Sequence, residues 1–436
     1  MASSTPDFAL RSPHFLPPSA MTAPRHDPYA ALRHGDFRWY VLSVMAMTVA
    51  TQIRGVVVAW QLYALTHDPL VLGLIGLAEA LPFIATALFA GHVADRTDRR
   101  TIALGAMVAL LGCAASLLAL SNHRVVSARD VPWFYLVIGA SGIARSFLMA
   151  ARTALVAELV PRDHYANATA WRTSSWQLAA VVGPAVGGLI YAFGGPTPAY
   201  ATDVTLMAVG VGALTLVRPR GRPAVVEGEG TIESLGAGIR FVFSQPILLG
   251  AISLDLFSVL FGGAVALLPV FAADILHVGP EGLGLLRAAP AVGAVAMSLW
   301  LAHRPPLTRA GHALLLNVAL FGVSIIAFGL SHAFWLSALL LVFNGAVDTV
   351  SVVIRSTILQ EWTPAPLLGR VAAVNSVFIG SSNEIGAFES GTAAKLLGTV
   401  PSVIFGGLMT LGVVGVTAWR VPSLRRLREL RSGESA

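Results

Sequence analysis

Residues 91–120 read GHVADRTDRRTIALGAMVALLGCAASLLAL, a short charged run followed by a long apolar stretch. From Ile102 to Leu120 the stretch contains no charged residue. A helix needs roughly 20 apolar residues to cross a hydrocarbon core of about 30 Å. Because that core holds no water, a spanning backbone must satisfy its own hydrogen bonds as a helix. The stretch therefore predicts a transmembrane helix.

Similar stretches recur about twelve times along the 436 residues. The chain is 55% hydrophobic and 12% charged, which is far from the composition of a soluble protein. We therefore predict an all-α polytopic membrane protein with twelve transmembrane helices. The predicted spans, numbered one to twelve, cover about residues 37–65, 70–92, 100–121, 132–152, 167–194, 198–218, 246–274, 281–303, 310–331, 333–356, 370–397 and 400–421.

The basic residues lie mainly in alternate segments between the spans. With the N-terminus inside, 22 of the 29 Lys and Arg residues fall in inside segments, which is the distribution that the positive-inside rule describes. This predicts a multi-pass protein of the bacterial cytoplasmic membrane with both termini in the cytoplasm. It also accounts for the net charge of +6 without a nucleic-acid partner. The single cysteine, Cys113, excludes an intramolecular disulfide and a cysteine-based metal site, and no metal or cofactor is predicted.

Polar segments divide the chain into five regions. We predict a disordered cytoplasmic tail at 1–35, a six-helix half at 36–218, a cytoplasmic linker at 219–245, a second six-helix half at 246–421, and a basic cytoplasmic tail at 422–436. The tail at 1–35 lacks the apolar core of a cleavable signal peptide. In the linker, one helical face collects four apolar residues, which predicts a helix on the membrane surface. They are Ile232, Leu235, Ile239 and Phe243.

The two halves repeat each other in sequence. Pro69 with Leu72-Gly73-Leu74 recurs as Pro280 with Leu283-Gly284-Leu285, at an offset of 211 residues. A second pattern, from Arg152 to Pro161, recurs from Arg355 to Pro364 at an offset of 203, and Gly188 and Gly391 share that offset. Six-helix halves related as parallel repeats are a transporter architecture, with the substrate site between the halves near the membrane midplane.

The charged loop between spans two and three resembles a motif of a known family. Its sequence, Gly91-His92-Val93-Ala94-Asp95-Arg96-Thr97-Asp98-Arg99-Arg100, is similar to the GxxxDRxGRR loop of the major facilitator superfamily, with Asp98 where that family usually has Gly. The resemblance implies a cytoplasmic latch in which Asp95 faces the start of span eleven near Gly369-Arg370. Arg152 is the expected arginine partner of Asp95. The alternative is a positive-inside turn with no gating role.

A second motif lies in span five. Gly183-Pro184-Ala185-Val186-Gly187-Gly188 resembles the core of the antiporter motif of proton-driven exporters in this superfamily, although the longer upstream glycine spacing is absent. Small residues let helices approach closely, and proline bends a helix. The phrase from Ala157 to Arg162, followed by Asn167-Ala168, resembles a subgroup of bacterial exporters that includes the enterobactin exporter.

Charged residues inside membrane spans are costly, so each is a candidate functional residue. In the superfamily that the chain resembles, spans one, four, seven and ten line a central cavity, and here they carry Arg54, Arg145, Asp255 and Asp348 in turn. Asn344 lies one turn before Asp348. We predict a cross-half ion pair between Arg145 and one of the two aspartates, in a cavity that also binds substrate. The alternative is that some of these charges pair within one half or extend to the rim.

Glu79 in span two and Glu384 in span eleven form a second group. The resemblance implies that these spans touch across the halves. Two neighbouring buried carboxylates would make a proton carrier. Arg54 could instead neutralise Glu79. Five other charged residues are expected at the membrane interface because they lie nearer span ends: Asp203, Asp274, Arg287, Glu389 and Lys395.

These features predict a secondary transporter that works by alternating access. The favoured activity is proton-coupled efflux of a small amphipathic molecule of the drug or siderophore type, by a monomer in the lipid bilayer. The alternatives are an uptake symporter or facilitator of a metabolite, and a membrane-embedded lipid-modifying enzyme. The enzyme is disfavoured because the sequence contains no nucleophile–base arrangement, metal-ligand cluster or nucleotide-binding loop.

Overall fold

A computed structural model describes residues 27–122, 127–218, 231–304 and 309–427, and every long element in these ranges is a helix. In chain order the helices are α1 (Gly35–Thr66), α2 (Pro69–Arg96), α3 (Arg99–Ser121), α4 (Val131–Leu159), α5 (Tyr165–Gly194), α6 (Pro196–Thr215), α7 (Thr231–Ser244), α8 (Pro246–Phe261), α9 (Pro280–Ala302), α10 (Ala310–Leu330), α11 (Phe334–Trp362), α12 (Ala365–Leu397), α13 (Thr399–Arg420) and α14 (Pro422–Arg426). Short helical turns continue α8 through Ile275.

Twelve of these helices form the membrane bundle. Ten segments of the described chain are long and apolar enough to cross a membrane, and they contain every long helix except α6, α7 and α12. Helix α6 has 20 residues, which reach about 30 Å at 1.5 Å per residue. Helix α12 has 33 residues and contains several polar and charged residues, among them Asn383, Glu384 and Glu389. The short amphipathic α7 lies outside the bundle, so spans seven to twelve correspond to α8 to α13.

The bundle consists of two six-helix halves. In the first half α1 packs on α5 and α6, and α2 packs on α4; in the second half α9 packs on α11, and α10 packs on α13. Between the halves the main packed pairs are α2 with α12 and α5 with α9. Because successive helices reverse direction, Gly35, Thr231 and Leu427 lie at one face, here called the terminal side. The opposite face, with the turns at 66–69 and 276–280, is called the far side.

Two glycine crossings bring the halves together near the far side. At the first, an added Cβ on Gly391 of α12 would lie 2.8 Å from Cα of Gly73 on α2. At the second, an added Cβ on Gly188 of α5 would lie 2.9 Å from Cα of Gly284 on α9. The repeat offsets found in the sequence relate Gly73 to Gly284 and Gly188 to Gly391. The two crossings therefore join equivalent positions of the repeat, Gly73 with Gly391 at one and Gly284 with Gly188 at the other.

Side chains cap two of the helices that begin at turns between spans, α2 and α3. The Asp68 carboxylate accepts a hydrogen bond from the backbone N–H of Leu70 at 3.0 Å at the start of α2. The Asp98 carboxylate accepts from both the backbone N–H and the hydroxyl of Thr101, at 2.8 and 2.6 Å, at the start of α3. A carboxylate at this position satisfies helix N–H groups that have no intrahelical partner. Asp98 thus replaces the expected glycine of the loop with an N-cap.

The described part of the N-terminal tail differs from the prediction of disorder over 1–35. Residues 31–33 form a helical turn, and the backbone N–H of Ala31 donates to the Asn167 side chain at 3.0 Å. The side chains of Asn167 and Trp171 donate to the carbonyl oxygen of Pro28 at 2.8 and 3.0 Å. These bonds hold the segment against α5. Residues 1–26 and 428–436 of the predicted tails lie outside the described residues.

The linker helix lies at the terminal side, against the start of α12. Gly238 packs on the backbone of Arg370, whose carbonyl oxygen would lie 3.0 Å from an added Cβ, and Val242 is buried. Ile239 and Phe243 are exposed, 42% and 62% of their surfaces respectively. An exposed apolar pair beside a membrane bundle is compatible with the predicted surface helix. The side chains of Ile232 and Leu235 are outside the described part.

Candidate functional site

Charged side chains from both halves meet in the middle of the bundle. Arg145 on α4 forms an ion pair with Glu79 on α2, and its Nη1 atom also lies 4.0 Å from Oε1 of Glu384 on α12. Counted at 1.5 Å per residue, the three positions lie roughly 15 to 20 Å from the far ends of their helices, which is near the membrane midplane. The guanidinium also lies over the Phe83 ring at 5.7 Å. We call Glu79, Arg145, Glu384 and Arg287 the interface cluster.

Arg287 joins this cluster from α9. Its Nη1 atom donates to the carbonyl oxygen of Gly55 on α1 at 2.6 Å, which is a hydrogen bond across the halves. The charges of Glu384 and Glu79 both act on its guanidinium. The prediction that Arg287 lies at the membrane interface is therefore wrong. With two carboxylates and two guanidiniums, the interface cluster is neutral when all four groups are ionised.

The predicted pairing of Arg145 with Asp348 or Asp255 is not what this structure shows. Arg145 turns toward α2 and α12, whereas Asp255 on α8 pairs with Arg355 on α11. Asp348 lies near the same arginine, with 4.0 Å between its Oδ1 atom and Nη2 of Arg355. The repeat places Arg145 and Asp348 at equal depth, but their side chains have different partners: Arg145 lies beside Glu79 and Glu384, whereas Asp348 lies near Arg355.

Asp255, Asp348 and Arg355 line a small pocket inside the second half, which we call the second-half pocket. Its other lining residues come from α8, α10 and α11: Ser258, Val259, Asn317, Val318, Phe321 and Ser351. The side chains of Asp255 and Arg355 are largely buried, whereas the Asp348 side chain is 45% exposed. Asn344 was predicted to line the cavity, but it is buried and donates to the Ser324 hydroxyl at 2.8 Å.

Arg54 has a structural partner in its own half. Its Nε and Nη2 atoms donate to the two carboxylate oxygens of Asp203 on α6, at 2.9 and 3.3 Å. Both residues are buried, and Asp203 is fully so. The pair satisfies both charges inside the first half. The predictions that Arg54 faces the cavity or neutralises Glu79, and that Asp203 is interfacial, are therefore wrong.

Two polar contacts join the halves at the far side. The Tyr63 hydroxyl of α1 donates to Asp274, which follows α8. Nζ of Lys395 on α12 lies 2.5 Å from Oδ2 of Asp68 in the turn before α2. Burial raises the pKa of Asp68, but the hydrogen bonds from Lys395 and Leu70 and the lysine charge outweigh it, so the pKa is lowered overall. The Asp68 contact therefore persists at neutral pH.

The arginines of the gating motif bind within the first half. Arg99 pairs with Glu158 on α4 at 2.8 Å, and Arg100 donates to the carbonyl oxygen of Thr215 on α6 at 2.5 Å. Arg96 is exposed, and the charge of Arg152 acts on the buried Tyr40. The side chain of Asp95 is outside the described part, so its pairing with Arg152 stays a prediction. An added Cβ on Gly91 or Gly369 would meet no described atom within 4 Å.

The antiporter-like motif packs α5 against two helices at once. An added Cβ on Gly183 would lie 2.6 Å from Cβ of Gln52, and one on Gly187 would lie 3.0 Å from Cα of Ile53, both on α1. The carbonyl oxygen of Pro184 would lie 2.5 Å from an added Cβ on Gly284 of α9. The motif therefore joins α5 both to its own half and to the other half.

Arg355 was not predicted as a site residue, because its position in the sequence placed it among the basic residues of an inside segment. One signal was available, because Arg355 is the repeat equivalent of Arg152 and lies two helical turns after Asp348. Among the described residues, no group of three or more His, Cys, Asp or Glu side chains is placed to hold a metal ion.

Comparisons with known proteins agree with this architecture. The family described as "Transmembrane secretion effector" matches residues 26–433. The Enterobactin exporter EntS of Shigella flexneri is 27% identical over 403 residues, which cover 91% of this chain and 94% of the relative. The protein of the same name from Escherichia coli O1:K1 / APEC is 28% identical with the same coverage.

Solved structures share the fold at low identity. A bacterial homolog of the human lysosomal transporter Spinster, in an inward-facing and occupied conformation, has a TM-score of 0.68 at 12% identity, covering 94% of this chain and all of that one. A D-xylose-proton symporter has a TM-score of 0.66 at 12% identity, covering 92% and 99%. The twelve helices thus adopt the major facilitator fold. The chain belongs to the transmembrane secretion effector family of the major facilitator superfamily, and it is a transporter and not an enzyme.

Proposed function

We propose that this transporter exports a small amphipathic molecule from the bacterial cytoplasm in exchange for protons, by alternating access. The observation that carries the proposal is the interface cluster, in which Arg145 of the first half lies between Glu79 of its own half and Glu384 of the other. The relatives named as enterobactin exporters support efflux, and a siderophore of that kind is the first substrate to test.

The orientation follows from the charge distribution. The terminal side carries most of the basic residues, and the positive-inside rule assigns such a side to the cytoplasm. The glycine crossings and the contacts of Asp68 and Tyr63 then lie at the outer side. A transporter with its outer ends joined offers its cavity to the cytoplasm, which is the state in which an exporter loads its substrate.

Proton coupling can act through the Arg145–Glu384 contact. A protonated Glu384 carries no charge and loses its attraction to Arg145, which then stays with Glu79 alone. The hydrogen bond from Arg287 to the Gly55 carbonyl oxygen is the other polar contact across the halves at this depth in the described chain. Weakening the ionic contact lowers the free energy needed to separate the halves, so proton binding favours the opposite state.

The experiment compares wild-type protein with Glu384→Gln in inverted membrane vesicles, with labelled enterobactin as the first probe and ethidium as the second. Wild-type vesicles should accumulate a probe in a manner that an uncoupler abolishes. Glutamine mimics the protonated carboxyl, so Glu384→Gln and Glu79→Gln should lose uphill accumulation but keep exchange down a substrate gradient. Glu281→Gln, an exposed carboxylate at the start of α9, is the matched control.

Uncoupler-sensitive accumulation in both glutamate variants would reject the interface cluster as the coupling site. Accumulation by right-side-out cells, with none in inverted vesicles, would instead favour an uptake symporter.

A further inference from the structure

The second-half pocket has more negative charge than its surroundings balance. It contains two carboxylates, Asp255 and Asp348, and one guanidinium, Arg355. With all three ionised its net charge is therefore minus one. By the same count the interface cluster, with two carboxylates and two guanidiniums, is neutral. An unbalanced charge inside a membrane protein is costly, so the pocket has the stronger requirement for one additional positive charge.

Asp348 is the carboxylate in the pocket whose negative charge has no close positive partner among the described residues. Arg355 is committed to Asp255, with which it forms a close ion pair between two largely buried side chains. The distance of 4.0 Å from Arg355 to Asp348 exceeds that of a hydrogen bond. Asp348 also has the most exposed side chain of the three charged residues.

A second observation indicates that the pocket takes a ligand of about the size of a water molecule. The Ser258 hydroxyl lines the pocket, is 4% exposed as a residue, and has no hydrogen-bond partner among the described residues. A buried hydroxyl without a partner costs roughly 1–3 kcal/mol. The pocket has room for about one water. A proton carried in by water is the positive charge that fits this space.

We propose that Asp348 is a proton-binding site of the second half, separate from Glu79 and Glu384. The Asp348 carboxylate takes one proton from a hydronium ion and becomes a neutral acid, and water is released. Arg355 then belongs to Asp255 alone, and the pocket is neutral. The proposal deepens the proposed function, on which it rests for its role in transport, because it adds a second coupling site to the cycle.

The surroundings of Asp348 contain few other charges that could compensate. The lining residues from α8 and α11 supply Asp255 and Arg355, and those from α10 are Asn317, Val318 and Phe321, which are uncharged. Helices α9 and α12 also pack in this half, but none of their described residues lines the pocket. Arg287 and Glu384 belong to the interface cluster, and the other described charged residues of these helices, Glu281 on α9 and Arg370, Glu389 and Lys395 on α12, do not line the pocket.

The test counts protons in purified full-length protein, without any substrate. A pH indicator in weakly buffered detergent solution reports the protons bound as the pH is lowered from about 8 to about 6, a range in which exposed carboxylates stay ionised. Asp348→Asn should bind one proton fewer per molecule than wild type. Asp255→Asn should also bind one fewer, because Arg355 is then free to balance Asp348.

Glu281→Gln is the matched control and should leave the proton count unchanged. Arg355→Gln removes the single guanidinium and should bind one proton more than wild type. Gel filtration establishes which variants are folded. A wild-type proton count in either folded aspartate variant would overturn the proposal. Since this measurement involves no transport, its outcome is independent of the vesicle experiment that tests the proposed function.

Discussion

Replacing Gly188 with alanine is expected to shift the transporter away from the state in which its far side is closed. The new Cβ would lie 2.9 Å from Cα of Gly284 and closer still to the carbonyl oxygen of Pro280. Both are backbone atoms of α9, so no side-chain rotation relieves the clash. Overpacking of this kind costs about 1–3 kcal/mol. Because the halves separate at this point when the far side opens, that energy should change the ratio of the two states by roughly 5- to 150-fold.

Spin labels measure this shift directly. Phe193 near the end of α5 and Leu396 near the end of α12 are 89% and 76% exposed, and they lie in different halves at the far side. With both changed to cysteine in a Cys113→Ala background, pulsed electron paramagnetic resonance reports the distance between the labels. Gly188→Ala should increase the population at long distances and slow transport at equal expression.

Two further variants make the result specific. Gly391→Ala introduces the repeat-equivalent clash, with Gly73 at 2.8 Å, and should shift the distances in the same direction. Gly212→Ala on α6 meets no described atom within 4 Å and should resemble wild type. Unchanged distances in Gly188→Ala, or an equal shift in Gly212→Ala, would contradict this prediction.

Three other predictions concern the outer contact, the topology and the gating motif. Lys395→Met removes the partner of Asp68, a partly exposed ion pair worth about 0.2–1 kcal/mol, and should slightly increase the long-distance population in the same assay. Because the pKa of Asp68 is lowered, the wild-type contact should be lost only as the pH falls through that lowered value. Cysteine at Ala128 should react with an impermeant reagent added to intact cells, and cysteines at 221–229 should not; the reverse would invert the orientation. Asp95→Asn should reduce transport of inserted protein, and full activity would indicate that the loop is only a topological signal.

The sequence predicted the class, the repeat and the depth of the charged residues better than their partners. Apolar length identifies the spans, because crossing a membrane imposes a minimum length. The offsets of 211 and 203 related Gly73 to Gly284 and Gly188 to Gly391. In the structure these four glycines form the two crossings between the halves. Depth along a helix follows from counting residues, and the family resemblance implied that spans two and eleven touch; together these led to the expectation that Glu79 and Glu384 lie close.

Partner choice depends on rotation about each helix axis, which residue counting does not provide. Arg145 lies level with Asp348 by repeat, yet it turns toward Glu79. Arg54 and Arg287 were misplaced for the same reason, since one turns to Asp203 and the other to the Gly55 carbonyl oxygen. Packing of neighbouring helices determines these rotations, and one sequence contains little information about that packing.

The glycine crossings also constrain how this protein can evolve. At each crossing two residues from unlike repeats share one space, and a larger side chain at Gly188 meets the backbone of α9 even while position 284 is glycine. The same applies to positions 73 and 391. The repeat relates position 188 to 391 and position 73 to 284, so both crossings carry the same constraint. Among related exporters, positions 188, 284, 73 and 391 should therefore all stay small, while open positions such as Gly212 should accept larger residues.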